Sequence, residues 1–530
     1  SSYDTALKTV SAYTGTFDHI LAREIPAGKT ALFDAMVVNY QGVENVDINS
    51  RGGDDRFAVN TINNRTTIYA AAGNDAIYVG SNALLGGLGQ SDTNTNGNLN
   101  AINALLTVNG QGAGDSDLLM LDDTDDDTLS NHGTLTGTRV TNGVVGSPGG
   151  LRLMGAGGSI TYGTLESLRI HLGDAANGNV FTVESTHGNG SSTTITSGIG
   201  PDVFNIETLV GDLGLSTGGG NDMVRVGSTA GDVGQTNGAI DAYDASLNGL
   251  AGRLEVDGGT GSADTLKLFD GGDIQRENGR LSSSEIVGLG MTLGVGYTGF
   301  DVFKAWLSNG DNNLYIASTH TGTTYINLGD EPAILNGTND VVNINSTGGP
   351  TTIDAGQGND VIRVNFDVQG SQTFRSGING ELTLHGQAGS DRYEIGLAGQ
   401  LSSRINAFDQ SNGDPGINRL RIYGTNEADF FLLRANKDIG LGMVAVFNPC
   451  GFAMLPAWVA YFVASDQEST TAHRGVLRAL TVVAVLTAGF VAVFLVVGLM
   501  IQLTASSLVS RLPWLSIALG AAMVLLSIWL

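Results

Sequence analysis

The chain has 530 residues, 77 of them Gly, and carries 52 acidic against 26 basic side chains, a formal net charge of −26. Such a charge repels nucleic acid and anionic lipid headgroups, so nucleic acid is excluded as a partner. Carboxylates in this number favour a neutralising cation, and calcium is the natural one outside the cell.

Composition changes near residue 440. Residues 1–440 hold 23 basic and 50 acidic groups and no cysteine, whereas 441–530 hold only Arg474, Arg478 and Arg511 against Asp466 and Glu468. Without cysteine, no disulfide framework supports the first part. Val, Ile, Leu and Phe recur among its polar residues, which is not a disordered composition. No signal peptide follows Ser1, so the start reads as processed or truncated.

In chain order, residues 1–39 read as an incomplete N-terminal edge. Gly28-Lys29-Thr30 ends like a phosphate loop, but Arg23 stands where that loop needs glycine. Three modules follow, 40–161, 162–296 and 297–440, opened by Tyr40-Gln41-Gly42-Val43-Glu44, Tyr162-Gly163-Thr164-Leu165-Glu166 and Tyr297-Thr298-Gly299-Phe300-Asp301. Each contains two aspartates 20 residues apart: Asp55 and Asp75, Asp202 and Asp222, Asp340 and Asp360. Between them run alternating, β-branched segments such as Val342-Asn343-Ile344-Asn345. A strand, a turn, a second strand and a Gly-rich turn in this span predict one coil of a parallel β-solenoid, each coil burying one face on its neighbours.

The turns have a recognisable form. Gly218-Gly219-Gly220-Asn221-Asp222-Met223-Val224 and Gly356-Gln357-Gly358-Asn359-Asp360-Val361-Ile362 are the fullest copies, while Ala71, Pro201 and Thr338 interrupt others. Glycine permits positive φ and lets carbonyl oxygens approach a cation, and Asp supplies a charged oxygen. The pattern resembles the hemolysin-type (RTX) calcium-binding repeat, with fewer turns per residue than that family. The resemblance implies an exported β-roll or β-helix, with calcium held by Asp222, Asp360, Asp202, Asp340, Asp55 and Asp75. The turn glycines Gly218, Gly220, Gly356 and Gly358 would shape the sites. Asn, Asp and Gly are also good turn formers without any metal, so a metal-independent, adhesin-like solenoid is the alternative. The run Asp122, Asp123, Asp125, Asp126 and Asp127 reads as a solvated loop or a loose cation site, and the histidines as scattered. A β-helical polysaccharide lyase would need a basic catalytic residue that nothing here marks.

Asp429-Phe430-Phe431-Leu432-Leu433-Arg434 begins a strand whose coil is not completed. Beyond it, 442–464, 476–503 and 508–530 are apolar and each long enough to span a bilayer, which predicts an all-α segment of three transmembrane helices. Arg474 and Arg478 in one loop, Arg511 in the next and Arg434 and Lys437 before them leave orientation undecided by charge. A calcium solenoid places the N-terminal side outside. The string Asn448-Pro449-Cys450-Gly451-Phe452-Ala453-Met454-Leu455-Pro456 resembles the first transmembrane helix of the cytochrome c biogenesis and thiol–disulfide carrier family (CcdA and the membrane domain of DsbD). The resemblance implies that Cys450 is a redox thiol serving a thioredoxin-like or periplasmic thiol protein. Pro449 and Pro456 would open the helix around it. No second cysteine stands in these 530 residues, so an intramolecular shuttle is incomplete as written. Two readings of the whole follow. One is a membrane-anchored, extracellular or periplasmic calcium-binding surface protein. The other is a transmembrane oxidoreductase for cytochrome c assembly, its solenoid incidental or wrongly joined.

Overall fold

The computed structural model describes residues 18–22, 36–85, 91–112, 114–126, 132–143, 152–188, 190–231, 245–329, 338–373, 377–397, 403–409, 416–435 and 442–447. Its regular elements are β-strands. Segments such as Arg65–Tyr69 and Thr323–Asn327 alternate apolar and polar residues and are rich in Thr, Ile and Tyr. That composition suits a pleated surface buried on one side. Ile68 and Ile326 are buried, while Thr67 and Tyr325 beside them stay partly exposed.

Each strand pairs in parallel with the strand one coil later, as Asn45–Asn49 does with Arg65–Tyr69, and that strand with Leu105–Asn109. Two fifteen-stranded sheets result. The first runs from Asn45–Asn49 to Ile405–Phe408, the second from Arg56–Val59 to Arg419–Tyr423. The chain crosses between them at nearly every turn, which is the parallel β-solenoid the repeat predicted. Inward residues stack in register, Ile68 on Val108 and Leu119 on Leu168. They form one apolar cluster from Ile62 to Tyr393, so no coil has to bury its face alone.

Two antiparallel inserts interrupt this order. In the first sheet His132–Thr136, Arg139–Asn142 and Ser159–Gly163 lie side by side between Leu105–Asn109 and Val180–Val183. In the second sheet Glu277–Leu281, Glu285–Gly288 and Val295–Thr298 do the same between Leu254–Asp257 and Asn312–Ile316. An odd number of sheet changes separates Arg56–Val59 from Val203–Ile206, and Val203–Ile206 from Val341–Ile344, so these equivalent strands lie alternately in opposite sheets. The turn before Arg56–Val59 leads from first sheet to second, that before Val203–Ile206 from second to first, and that before Val341–Ile344 from first to second again. A feature repeated in each module therefore alternates between the two edges of the solenoid.

The ends depart from the coil. Asp18–Ala22 and Met36–Tyr40 form a separate antiparallel pair. Phe430–Ala435 pairs antiparallel with Gly442–Phe447, within a second compact unit spanning 428–530. The helix expected from residue 442 is thus corrected for its first six residues, which are a strand. An apolar run fits a strand as well as a helix, and the apolar Phe430-Phe431-Leu432-Leu433 supplies a partner strand. The rest of 442–464, and both 476–503 and 508–530, lie outside the described residues. Among the described residues no helix is long and apolar enough to cross a membrane.

Candidate functional site

The six predicted aspartates each stand immediately before a strand, where the chain turns from one sheet to the other. They belong to three side-chain ladders. In the first, the amide of Asp55 donates to Oδ1 of Asp75 (2.7 Å), that of Asp75 to Oδ1 of Asp117 (2.9 Å), and that of Asp117 to Oε2 of Glu166 (2.8 Å). In the second, Asp202 donates to Asp222 (2.8 Å), Asp222 to Asp264 (2.8 Å) and Asp264 to Asp301 (3.0 Å). In the third, Asp340 donates to Asp360 (2.8 Å), Asp360 to Asp391 (3.0 Å) and Asp391 to Asn418 (2.6 Å). The 20-residue spacing finds the first two rungs of each ladder. It misses the third because a long loop stretches the interval to 42, 42 and 31 residues.

The backbone of the turn explains the glycines. Two positions before Asp222, Gly220 has φ +134°, and a Cβ there would come within 2.4 Å of the Gly200 carbonyl oxygen. Four positions before each second-rung aspartate φ is also positive, +86° at Gly218, +84° at Gly356 and +70° at Ala71. Ala71 breaks the sequence pattern, yet its backbone keeps the turn. A second ladder runs outside the first in the opposite direction. The amide of Asn74 donates back to Oδ1 of Asp54 (2.8 Å), Asn339 to Asp311 (2.9 Å) and Asn359 to Asn339 (3.1 Å). Where a turn carries Asn-Asp, as at Asn339-Asp340, the pair thus caps an amide on the coil to either side.

Capping uses one oxygen of each inner aspartate. Oδ2 of Asp75, Asp117, Asp264 and Asp360 is buried without a hydrogen bond, and each of these residues is 1% exposed. Burial pushes the carboxyls of Asp117 and Asp202 up to about 6 and that of Asp360 up to about 8, with Asp75, Asp222 and Asp264 also raised. The donated amide opposes the shift and neighbouring carboxylates add to it. The hydroxyls of Ser197 and Thr217 further relieve Asp202 and Asp222. Among the described residues, Asp115, Asp117 and Glu166 bring one carboxylate oxygen each within 4.8 Å of the others.

The acidic run departs from expectation. Asp122, Asp123 and Asp126 are buried, and they organise the loop between Ala76–Val79 and Leu105–Asn109 rather than standing in solvent. Asp123 Oδ1 accepts the Leu99 amide (2.8 Å), and Asp126 accepts from the Asn100 side chain (3.0 Å). In the next module Asp270 takes the Leu247 amide (2.8 Å), and Asp273 takes the Asn248 side chain. A loop lying over the solenoid presents amides that the sheets cannot satisfy, and these acids meet them.

Two histidines, scattered in sequence, occupy equivalent places. Tyr162 meets His187 edge-on at 5.8 Å, and Thr193 bonds Nδ1 of that ring at 3.2 Å. Tyr297 meets His320 edge-on at 6.2 Å, and Thr324 bonds its Nδ1 at 3.1 Å. The signal was the repeated Ser185-Thr186-His187 and Ser318-Thr319-His320. Burial lowers both imidazoles, so the rings are held neutral as packing groups.

No family model, curated protein or solved structure matches the chain. Cys450, Pro449 and Pro456 lie outside the described residues.

Proposed function

We propose that the solenoid is a surface-binding or structural protein working outside the cell, its acidic corners closed by calcium. The observation that carries this is the set of aspartate oxygens buried at the corners without a hydrogen bond. A carboxylate stripped of water requires a proton or a cation. Where the proton has left, a cation answers the need, and in a chain of net charge −26 it also reduces repulsion between coils. Affinities of about 10⁻⁴–10⁻³ M suffice outside the cell. The test is thermal melting of the full chain with calcium and again with chelator. A higher midpoint with calcium is expected, because a ligand that binds only the folded state stabilises it.

The double hydrogen-bond ladder favours a second reading, a metal-independent structural solenoid, since amide caps already close each corner. Identical midpoints in calcium and chelator would reject calcium and leave this reading.

For the C-terminal part, the apolar sequence supports attachment to a membrane, and the string around Cys450 supports thiol–disulfide exchange with a thioredoxin-like or periplasmic partner. A thiol opened to water between Pro449 and Pro456 forms thiolate and reacts, whereas one packed in hydrocarbon stays protonated. Cys450 should therefore label with an impermeant maleimide from one side of intact vesicles. Absence of labelling from both sides would leave a plain anchor.

A further inference from the structure

The third rung of the first ladder differs chemically from its counterparts. Asp117 corresponds to Asp264 and Asp391 as the carboxylate that takes the second rung's amide. Two residues before it stands Asp115, where the other modules have Ser262 and Gly389. Its rung partner is Glu166, whose counterparts are Asp301 and Asn418. Three carboxylates thus meet at this corner, with an oxygen of each within 4.8 Å of the others.

Independent evidence for a ligand comes from the oxygens left over. Asp117 is 1% exposed, and its Oδ2 has no hydrogen bond; Asp115 Oδ1 is likewise buried without one. Asp117 Oδ2 and the Thr164 carbonyl oxygen converge on Gly110. They lie 2.1 and 2.2 Å from where a Cβ on that glycine would sit. Thr164 is held in the left-handed region, φ +51°, and its hydroxyl accepts the amide of Gln111 (2.7 Å), which fixes its carbonyl beside this corner. Carboxylate and carbonyl oxygens crowded together at one corner are the donor set of a hard divalent cation.

We infer that Asp115, Asp117 and Glu166, with the carbonyl of Thr164, form a discrete calcium-class cation site. Asp115 and Asp117 lie just before Leu118–Asp123, and Thr164 and Glu166 just after Ser159–Gly163. Between them the chain makes the whole antiparallel insert of the first sheet. An ion at this corner ties the turn one strand before the insert to the turn that follows it. The site deepens the calcium reading and makes a claim of its own, because it requires one ion at one rung whatever the other ladders bind.

The experiment is calcium binding to the full chain, counted by equilibrium dialysis and titration calorimetry, for the natural sequence and for Asp115→Asn and Glu166→Gln. Circular dichroism in chelator confirms that each variant keeps its β signal. Loss of two ligand charges in turn should each weaken one class of site by about tenfold or more, the bound count falling by one. If the natural chain binds a single ion and either variant abolishes it, this site stands and the wider calcium role of the ladders falls. Unchanged count and affinity in both variants would overturn the site while leaving the ladders to account for the binding. No calcium bound by the natural chain would overturn both.

Discussion

Asp222 shows how much one side chain does at a corner. It lies between Asp202, whose amide it accepts, and Asp264, which accepts its own. Asp222→Ala should cost about 1–3 kcal/mol in urea unfolding, because the Asp202 amide is left buried and unpaired. Asp222→Asn keeps an acceptor oxygen, and Asn418 shows that the ladder admits asparagine. That variant should match the parent in chelator and gain less from calcium. Destabilisation equal to that of the alanine variant would mean that charge, and not capping, holds the corner. Ala71 offers the reverse case. An L-residue at φ +70° pays roughly 1 kcal/mol or more in that region. Ala71→Gly, after the added freedom of glycine in the unfolded chain, should therefore stabilise by up to about 1 kcal/mol. The sequence revealed where these turns are. It hid that Ala71 still makes the turn, because tertiary contacts can hold a backbone that propensity disfavours.

At the scale of the strand, alternation made the elements legible and pairing remained hidden. Arg225, Lys267 and Lys304 are far apart in sequence, yet they stand in register on adjacent strands of the first sheet. Burial lowers the pKa of Arg225 and of Lys267, and Arg225 and Lys304 beside it lower Lys267 further. Like charges facing across a strand pair destabilise. Lys267→Thr, a β-branched residue for the same outer position, should raise stability by roughly 0.2–1 kcal/mol in denaturant unfolding. A loss of stability would show that the lysine stem packs usefully on the sheet and outweighs the repulsion. The antiparallel inserts were illegible for a related reason. Their strands alternate like the others, and only the partner's direction, a long-range property, sets them apart. The strand Gly442–Phe447 is likewise hidden in the sequence, because its apolar run fits both periods.

Over the whole molecule, period and charge together foretold a parallel solenoid with acidic corners. The half-turn between modules was beyond the sequence, since it depends on how many times the chain changes sheet within a module. That half-turn puts the middle ladder on one edge and the outer two on the other, so acid repulsion loads both edges. The consequence is a pH dependence whose sign can be worked out. The raised acids bind protons more tightly folded than unfolded, so folding is favoured where they are protonated. This contribution is present near the unfolded value of about 4 and is lost as pH rises through the folded values, about 6 for Asp117 and Asp202 and about 8 for Asp360. Glu394 acts oppositely. Although burial raises it, Arg363 and Arg392 beside it hold its pKa below normal, so its contribution disappears in acid. In chelator, the melting midpoint should therefore lie higher at pH 5 than at pH 8. Calcium should raise the midpoint more at pH 8, where fewer protons compete for the carboxylates, and the two pH values should draw together. A chelated midpoint that climbs steadily from pH 5 to pH 8 would show that the corner aspartates are already ionised and satisfied, and that their buried oxygens await neither proton nor metal.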